Sequence, residues 1–336
     1  MRLTFDEIYQ EIKNVFMKNG LSEEKASLCA KVHTESTYDG IYSHGVNRVA
    51  RFVEYLKNGW VNADGEPVLE KEFGAIQVYN GNRGPGVLNG IFAVDRAMEL
   101  ADKFGIGLVG LKNTTHWMRG GTYGLRAAQK GYIAIMWTNT EANMPPWGAK
   151  ESRLGNNPLV LAAPGEKEGE ELLLDMAISQ YSYGKLEVTR QAGKNLPYPG
   201  GFDEDGNLTD DPGVIEASRR ILPVGYWKGS GLSFMLDILG SVLTEGMSTA
   251  DMEEEGIGNC TGASQVMIVI DPDRTTDRES MLESIRNTIR FVKGAEKATG
   301  FGKVSVPGDG MRRFRKEHDE LGIYVDDVVW ERIKGL

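Results

Sequence analysis

The chain has 336 residues, of which 40% are hydrophobic and 26% are charged, and its formal net charge is −10. These proportions are typical of a globular protein with one large domain or two smaller ones, and they argue against a disordered or fibrous protein. The negative charge argues against a nucleic-acid partner, because neutralising phosphates requires clustered lysines and arginines.

Three helices are predicted within about the first 60 residues. The first has the capping-box spacing of Thr4 and Glu7, and the second begins near Ser22. The third is predicted to begin with Ser43 as its N-cap, which places His44 in the first turn. The breaks that end the three helices are Asn19-Gly20, Asp39-Gly40 and Asn58-Gly59.

From residue 76 onward, short β-branched segments alternate with amphipathic helices, a pattern typical of an α/β domain. The predicted strands are 76–79, 106–111, 133–138, 159–163, 172–175 and 265–270. The predicted helices are 88–104, 124–130, 181–194, 232–243, 278–293 and a charged C-terminal helix from Met311. A polar segment rich in glycine and proline, 196–212, is predicted to be a long surface loop.

This order of elements predicts a discontinuous helical domain beside an α/β domain. Residues 1–70 form the first part of the helical domain, and residues 71–224 form the α/β domain that binds cofactor and substrate. Residues 225–255 are predicted to join the helical domain. The chain then returns to the α/β domain over 256–310 and ends in a helical segment, 311–336.

The cysteines and the N-terminus indicate where the protein resides. Cys29 and Cys260 are too few for a disulfide framework, and neither has a partner at the spacing of a metal-binding motif. The N-terminus lacks the basic stretch and apolar core of a signal peptide, and no apolar run is long enough to span a bilayer. We therefore expect a cytoplasmic protein without a metal or a membrane partner.

One glycine motif is misleading. Gly105, Gly107 and Gly110 match the dinucleotide fingerprint G-x-G-x-x-G. That fingerprint requires a strand before it and the start of a helix within it, whereas here a helix is predicted to end at Phe104 and a strand to follow. The glycines are therefore interpreted as a helix end followed by a strand with small residues.

Two other glycine-rich segments are candidates for binding a phosphate, because backbone N–H groups and the helix dipole attract an anion where a loop enters a helix. The first is 116–124, which follows a strand and contains Arg119 among its glycines. The second is 225–231, where Lys228 can reach a phosphate. Segments of this kind also occur as ordinary turns, so the sequence leaves both interpretations open.

His44 and Arg48 are the strongest catalytic candidates. Four residues apart on a helix, they would project side by side from one face. The guanidinium can hold a carboxylate in a bidentate fork while the imidazolium protonates a ketone oxygen, which suits the reduction of a 2-oxo acid. A surface His–Arg pair explains the same spacing, and the spacing alone favours that simpler interpretation.

His116 follows a predicted strand, where the sites of α/β proteins concentrate, so we expect it to orient substrate or cofactor. A loop histidine bonded to the backbone is the alternative. His33 and His318 are interpreted as surface or half-buried helix residues. Further polar and flat side chains follow two strands, namely Asn139, Asn143, Trp147, Asn156 and Asn157.

A series of short motifs runs in order along nearly the whole chain. They are YSHG at 42–45 with Arg48, the segment 113–121, PPWGAK at 145–150, GNNP at 155–158, LDMA at 174–177, LP at 222–223 with Gly225, KGSG at 228–231 and VPG at 306–308. In these motifs the chain resembles the type-2 malate/L-lactate dehydrogenase family. That family depends on a nicotinamide cofactor, and its fold differs from that of the Rossmann dehydrogenases.

The resemblance implies an α/β (α+β) fold with a non-Rossmann nicotinamide-binding domain built on a mixed sheet, and a homodimer with active sites near the subunit interface. It implies reduction of the 2-oxo group of a sugar-derived 2-oxo acid with NAD(P)H. NADH is the expected cofactor, and the sequence does not exclude NADPH.

The resemblance also implies roles for individual residues. His44 is the proton donor, with Ser43 and Arg48 beside it. The substrate-binding residues are Arg48, His116, Asn156 and Tyr183. The cofactor-binding residues are His116, Arg119, Gly120, Glu171, Leu172, Leu173, Leu174, Asp175, Met176, Ala177, Trp227, Lys228, Gly308, Asp309 and Gly310.

Three positions depart from the family pattern, and alternatives remain. Some relatives carry an acidic residue just after the Gly184 position, where this chain has Lys185. Asn156 replaces a threonine, and Thr115 replaces an asparagine, which is a milder change. Oxidation of malate, lactate or ureidoglycolate and reduction of a cyclic imino acid are alternative reactions. A non-catalytic sugar-acid or nucleotide-binding protein is less well supported, because binding alone needs no proton donor such as His44.

Overall fold

The computed structural model describes residues 1–258 and 261–336, so Cys260 lies outside the described residues. Its helices, α1 to α12, are Phe5–Lys18, Glu23–Tyr38, Val49–Lys57, Gly86–Phe104, Gly121–Gln129, Tyr183–Gln191, Pro212–Ser218, Trp227–Thr244, Thr249–Glu255, Arg278–Lys293, Asp309–Leu321 and Asp327–Lys334. Its strands, β1 to β11, are Arg2–Leu3, Val68–Phe73, Ile76–Asn80, Ile106–Thr114, Ile133–Thr138, Leu159–Ala163, Leu172–Met176, Gly201–Phe202, Leu208–Thr209, Ala263–Ile270 and Ile323–Tyr324.

A mixed sheet of seven strands lies at the centre of the molecule, in the order β2-β3-β4-β10-β5-β6-β7. Strands β3 and β4 run parallel, whereas the other neighbouring pairs are antiparallel. This order differs from the parallel sheet of a doubly wound fold. The predicted α/β (α+β) fold with a mixed, non-Rossmann sheet is therefore confirmed.

The two faces of the sheet are covered unequally. Helices α4 and α5 lie on one face, where Val109, Leu111 and Met136 are fully buried. On the other face, α8 crosses β4, β5 and β10, and its Leu236 packs with Trp137. Helix α8 thus contacts the sheet through Leu236, and the expectation that residues 225–255 join the helical domain stays a prediction.

The N-terminal helices share a second core with the C-terminus. Thr4 and Glu7 form the predicted capping box, and α1 contributes Ile12 to this core. Phe52 of α3 and Trp330 of α12 complete it, and β1 pairs with β11. The helical segments at the two ends of the chain thus pack together, while the exact division into domains remains a prediction.

Glycines 105, 107 and 110 do not form a dinucleotide-binding loop. Gly105 ends α4 in the left-handed conformation, with φ of 84°, and β4 begins at the next residue. A Cβ at Gly107 would lie 2.1 Å from the carbonyl oxygen of Ala97. Gly105 thus ends the helix and Gly107 allows α4 to pack closely on β4, which agrees with the predicted helix end followed by a strand with small residues.

A small separate core lies beyond β7. Residues 181–222, called here the side module, contain α6, the β8–β9 hairpin and α7. Leu186, Leu196 and Ile215 are buried in it together with Met144 from the loop after β5. The predicted long loop at 196–212 is thus partly a hairpin, because its turn residues return the chain onto this core. None of the described helices is long and apolar enough to cross a bilayer.

Candidate active site

His44 lies in an irregular segment between α2 and α3. Two short 3-10 turns, Tyr42–His44 and Val46–Arg48, precede α3, and no side chain caps either turn. The predicted N-cap role of Ser43 is therefore wrong. The physical reason is tertiary: the Thr37 hydroxyl accepts the Val46 N–H at 3.0 Å, and the backbone passes so close that a Cβ at Gly45 would meet this hydroxyl at 2.2 Å.

The Ser43 and His44 side chains are hydrogen-bonded to each other. Ser43 Oγ lies 3.0 Å from His44 Nδ1, which fixes the imidazole and leaves its Nε2 for proton transfer. The side module covers this pair, because a Cβ at Gly184 would lie 2.6 Å from Ser43 Cβ. No carboxylate takes part in this contact, so the orienting group shown for His44 is Ser43.

His116 stacks on His44, with ring centroids 5.6 Å apart and an interplanar angle of 17°. The Met118 N–H donates to His116 Nδ1 at 3.0 Å, so the neutral ring carries its hydrogen on Nε2. Met118 has φ of 61°, and this tight turn brings its N–H back to the ring. The structure thus brings together the two histidines that the sequence singled out.

Burial and positive charge keep both imidazoles neutral in the protein alone. Burial, followed by the charges of Arg48 and Arg119, lowers the pKa of His44 to about 3. Burial and Arg48 also lower the pKa of His116 well below its usual value. Arg48 therefore lies within electrostatic range of both rings, although the irregular backbone removes the shared helix face that the sequence predicts.

Arg119 does not fit its predicted role as a phosphate ligand. Its side chain is 4% exposed and forms a buried ion pair with Asp39, and its Nη2 also approaches Met311 Sδ at 3.6 Å. Arg315 binds the same carboxylate, with Nε 2.6 Å from Asp39 Oδ1. The guanidinium of Arg119 thus points into the interior, which a sequence cannot show because Asp39 is 80 residues away.

The N-terminus of α5 already holds an anion from this chain. Asp175 Oδ2 accepts the Gly121 N–H at 2.7 Å. A phosphate placed there would meet a like charge, so 116–124 is a poor phosphate cradle. Burial raises the pKa of Asp175, while its side chain remains exposed to solvent, so a ligand can reach the carboxylate.

Two predicted cofactor segments lie side by side. A Cβ at Gly308, which has φ of 94°, would lie 2.8 Å from the carbonyl oxygen of Glu171. Arg312 Nη1 donates to the same oxygen at 3.2 Å. The Asp309 carboxylate accepts hydrogen bonds from Lys293, Arg312 and the backbone N–H of residue 306, so it anchors the start of α11. Strand β7 thus begins beside the contact of Glu171 with Gly308 and runs toward Asp175.

The segment 225–231 is mostly helical. Helix α8 begins at Trp227, five residues before the predicted start, so Lys228 lies in its first turn. Trp227 is exposed, and Lys228 Nζ lies 5.9 Å from the centre of its ring. The segment follows Val224, whose N–H donates to the Ile178 carbonyl at 3.0 Å, so it lies beyond the Asp175 end of β7.

Polar side chains line the side of the site next to the side module. Asn156 Oδ1 accepts from Asn143 Nδ2 at 3.2 Å and from Thr140 Oγ1 at 3.3 Å. The Tyr183 hydroxyl donates to the Asn143 carbonyl at 3.1 Å. Tyr183 precedes Gly184, so the start of α6 contacts both the Asn143 backbone and Ser43. This arrangement leaves the amide nitrogen of Asn156 able to donate to a ligand.

Sequence reasoning missed several buried residues near the site. His33 and His318 are 0% and 3% exposed, so their interpretation as surface or half-buried residues is wrong. His33 binds the Cys29 carbonyl, and His318 binds Tyr42, the residue before Ser43. The spacing of Arg315 and His318 on a predicted helix could have indicated that both side chains lie on one face. Nothing in the sequence, however, identifies their partners.

Comparison with known proteins identifies full-length relatives. The family model described as malate/L-lactate dehydrogenase matches residues 3–334. Two curated relatives named 2,3-diketo-L-gulonate reductase, from Citrobacter koseri and Klebsiella pneumoniae, are each 45% identical over 100% of both chains.

Solved structures show the same fold. Sulfolactate dehydrogenase from Methanocaldococcus jannaschii is 29% identical with a TM-score of 0.87, and the match covers 100% of this chain and 96% of that chain. Malate dehydrogenase from Pyrococcus horikoshii is 29% identical with a TM-score of 0.89, covering 98% and 93%. Malate dehydrogenase from Entamoeba histolytica is 24% identical with a TM-score of 0.93, covers 100% and 96%, and is similar in fold alone.

Proposed function

Because the chain belongs to the malate/L-lactate dehydrogenase family, we propose that it reduces 2,3-diketo-L-gulonate to 3-dehydro-L-gulonate with NADH. As a member of that family it is a nicotinamide-dependent oxidoreductase. Full-length identity of 45% to reductases of that name supports the substrate. The stacking of His44 on His116, within range of the Arg48 charge, is the observation that carries the chemistry.

The proposed reaction adds a hydride to C2 of the substrate and a proton to its ketone oxygen. When bound, the nicotinamide supplies the hydride. His44 supplies the proton from Nε2, and Ser43 holds the ring through Nδ1. Arg48 binds the carboxylate, and the His116 Nε2–H donates to the forming alkoxide. His44 afterwards regains its proton from solvent.

The residues along β7 and at the start of α11 fit a nicotinamide dinucleotide and favour NADH. The start of α11 passes close to Glu171, where only a glycine at 308 fits, and the Cβ position of Gly310 is open. The Asp175 carboxylate can accept hydrogen bonds from the hydroxyl groups of a ribose. An additional phosphate on that ribose would meet its negative charge, as in other sites where an acidic residue selects NADH.

The amides beside the side module fit a polyhydroxylated substrate. Asn156 can donate through its amide nitrogen, and its position is fixed by Asn143 and Thr140. A site built to bind hydroxyl groups discriminates against substrates that lack them, because its polar groups are then left unpaired. Asn156 therefore supports a sugar acid over malate or lactate.

Initial rates across a substrate panel test the proposed function. We expect the absorbance of NADH to fall rapidly in the presence of 2,3-diketo-L-gulonate, and that of NADPH to fall much more slowly. The panel also includes oxidation of malate, lactate and ureidoglycolate with NAD and reduction of a cyclic imino acid. Rapid turnover of one of these together with inert diketogulonate would contradict the proposal.

We propose that the protein is a homodimer joined through α8 and the exposed face of the sheet. Part of that sheet face is exposed beside α8, and both surfaces are apolar, which is typical of an interface. The exposed apolar residues are Phe73, Ile76, Ile106 and Leu161 on the sheet and Phe234, Met235, Ile238, Leu239 and Val242 on α8.

Substitution of Val242 tests the homodimer. Val242 is 71% exposed on α8, and Val242→Asp would bury an unpaired charge in the proposed interface. We expect light scattering to show a dimer for the wild type and a monomer for this variant. Val328→Asp is the matched control, because Val328 is 78% exposed on α12. A wild-type monomer would contradict the proposed assembly.

Binding of a substrate analogue is expected to take up protons. His44 is neutral at pH 7 in the protein alone, because burial and two arginines lower its pKa to about 3. An analogue carboxylate next to the ring acts in the opposite direction and raises this pKa. Binding should therefore consume up to about one proton per site and strengthen as the pH falls.

Calorimetry of oxalate binding to the NADH complex, in buffers with different ionisation enthalpies, measures this uptake. His44→Asn is the control variant and should bind oxalate without the uptake. An equal uptake in both proteins would assign the proton to another group.

A further inference from the structure

Helix α11 contacts the segment that carries His44. His318 Nε2 lies 3.1 Å from the Tyr42 hydroxyl, and His318 Nδ1 lies 2.7 Å from the Tyr38 carbonyl oxygen. Because a carbonyl only accepts, Nδ1 carries the hydrogen, and in the neutral ring Nε2 accepts from Tyr42. His318 is 3% exposed, whereas Tyr42 is half-buried, so the bond joins a buried ring to a residue at the edge of the interior.

Other residues of α11 hold the same segment. Arg315 donates to both carboxylate oxygens of Asp39, at 2.6 and 3.2 Å. The Phe314 ring lies against Gly40, where a Cβ would approach the ring to 2.3 Å. The Tyr42 ring packs edge-on against the Phe314 and Tyr324 rings. The backbone from Asp39 to Tyr42 is thus fixed on one face of α11.

The same helix begins at the proposed cofactor site. Gly308, just before α11, lies against the Glu171 carbonyl. The ten residues from there to His318 span about 15 Å of helix. One rigid element therefore joins the cofactor segment to the residue that precedes the Ser43–His44 pair.

We propose that Tyr42 and His318 are positioning residues for His44, which they hold in line with the bound cofactor through their hydrogen bond. This inference rests on the proposed function, in which His44 is the proton donor. The bond fixes Tyr42, and Tyr42 in turn fixes Ser43 and the stacked imidazole. Neither residue touches the substrate.

The variant Tyr42→Phe removes this hydrogen bond and keeps the packed ring. We expect kcat to fall about 10-fold or more, because small misplacements of a reacting group are costly. NADH affinity and the melting temperature should change little. Tyr324→Phe is the matched control, since it removes a hydroxyl from a ring packed on Tyr42 and should leave kcat unchanged.

His318→Asn provides an independent variant. The asparagine amide can still donate to the Tyr38 carbonyl, but it offers no acceptor at the Nε2 position. Its kcat should match that of Tyr42→Phe, and the double variant should be no slower than either single one. Additive losses in the double variant would show that the two residues do not act through their shared hydrogen bond.

A readout besides activity separates this proposal from the proposed function. The NMR signals of the His44 ring depend on its stacking with His116 and should shift in Tyr42→Phe but not in Tyr324→Phe. Unchanged signals and an unchanged kcat–pH profile would overturn the positioning role. Shifted signals in a protein that reduces no 2-oxo acid would retain it and reject the proposed function.

Discussion

Replacement of His44 by alanine is expected to lower kcat by about 10²- to 10⁴-fold, the usual contribution of general acid catalysis. In the proposed reaction His116 cannot replace His44 as the acid. Its Nδ1 accepts the Met118 N–H, and its Nε2–H only donates a hydrogen bond from a neutral ring. NADH affinity should stay within about twofold, because the imidazole stabilises the transition state and not the bound cofactor. Steady-state kinetics and NADH fluorescence titration measure the two effects.

Ser43→Ala is the companion variant for this experiment. It removes the hydrogen bond to His44 Nδ1 but keeps the imidazole, so the loss of kcat should be much smaller. An almost unchanged kcat in His44→Ala would remove His44 from the chemistry. In that case His116 would have to be tested as the donor.

The central strands could be predicted from the sequence because their side chains are β-branched or large and their ends are marked by turns. Ile133–Thr138 and Leu159–Ala163 have the predicted bounds, and the helix Arg278–Lys293 does as well. Strand Val68–Phe73 was missed. It lies at the edge of the sheet with every residue exposed, and its charged residues do not show the pattern of a buried strand.

The local conformation around His44 could not be predicted, because contacts from distant residues determine it. Ser43 is a common N-cap residue, yet Thr37 holds the Val46 N–H and prevents a helix from starting there. The apolar sequence of α8 predicts a helix but does not say which core it joins. Arg119 shows the same limit, since its partner Asp39 is remote in sequence.

The identity of the candidate site residues was nevertheless accessible, because histidines are few and each role requires particular chemistry. Their positions singled out His44 and His116 as candidates, the family resemblance implied their roles, and the structure stacks their rings. The lowered pKa of His44 could not be predicted from the sequence, since it depends on burial. In the proposed mechanism, His44 has its pKa lowered to about 3 and therefore gains its proton when the substrate binds.

Replacement of Arg48 by methionine is expected to lower kcat/KM by about 10²- to 10³-fold, because a guanidinium that binds a carboxylate contributes strongly in a water-poor site. The same change should raise the pKa of His44, since the Arg48 charge lowers it. Arg51→Met is the matched control: Arg51 is exposed on α3, and its charge also acts on His116. If Arg48→Met and Arg51→Met lose activity equally, Arg48 acts only through the positive charge that it shares with neighbouring arginines. A loss that is confined to Arg48→Met, and that appears mainly as a higher KM for the 2-oxo acid, indicates that Arg48 binds the substrate carboxylate.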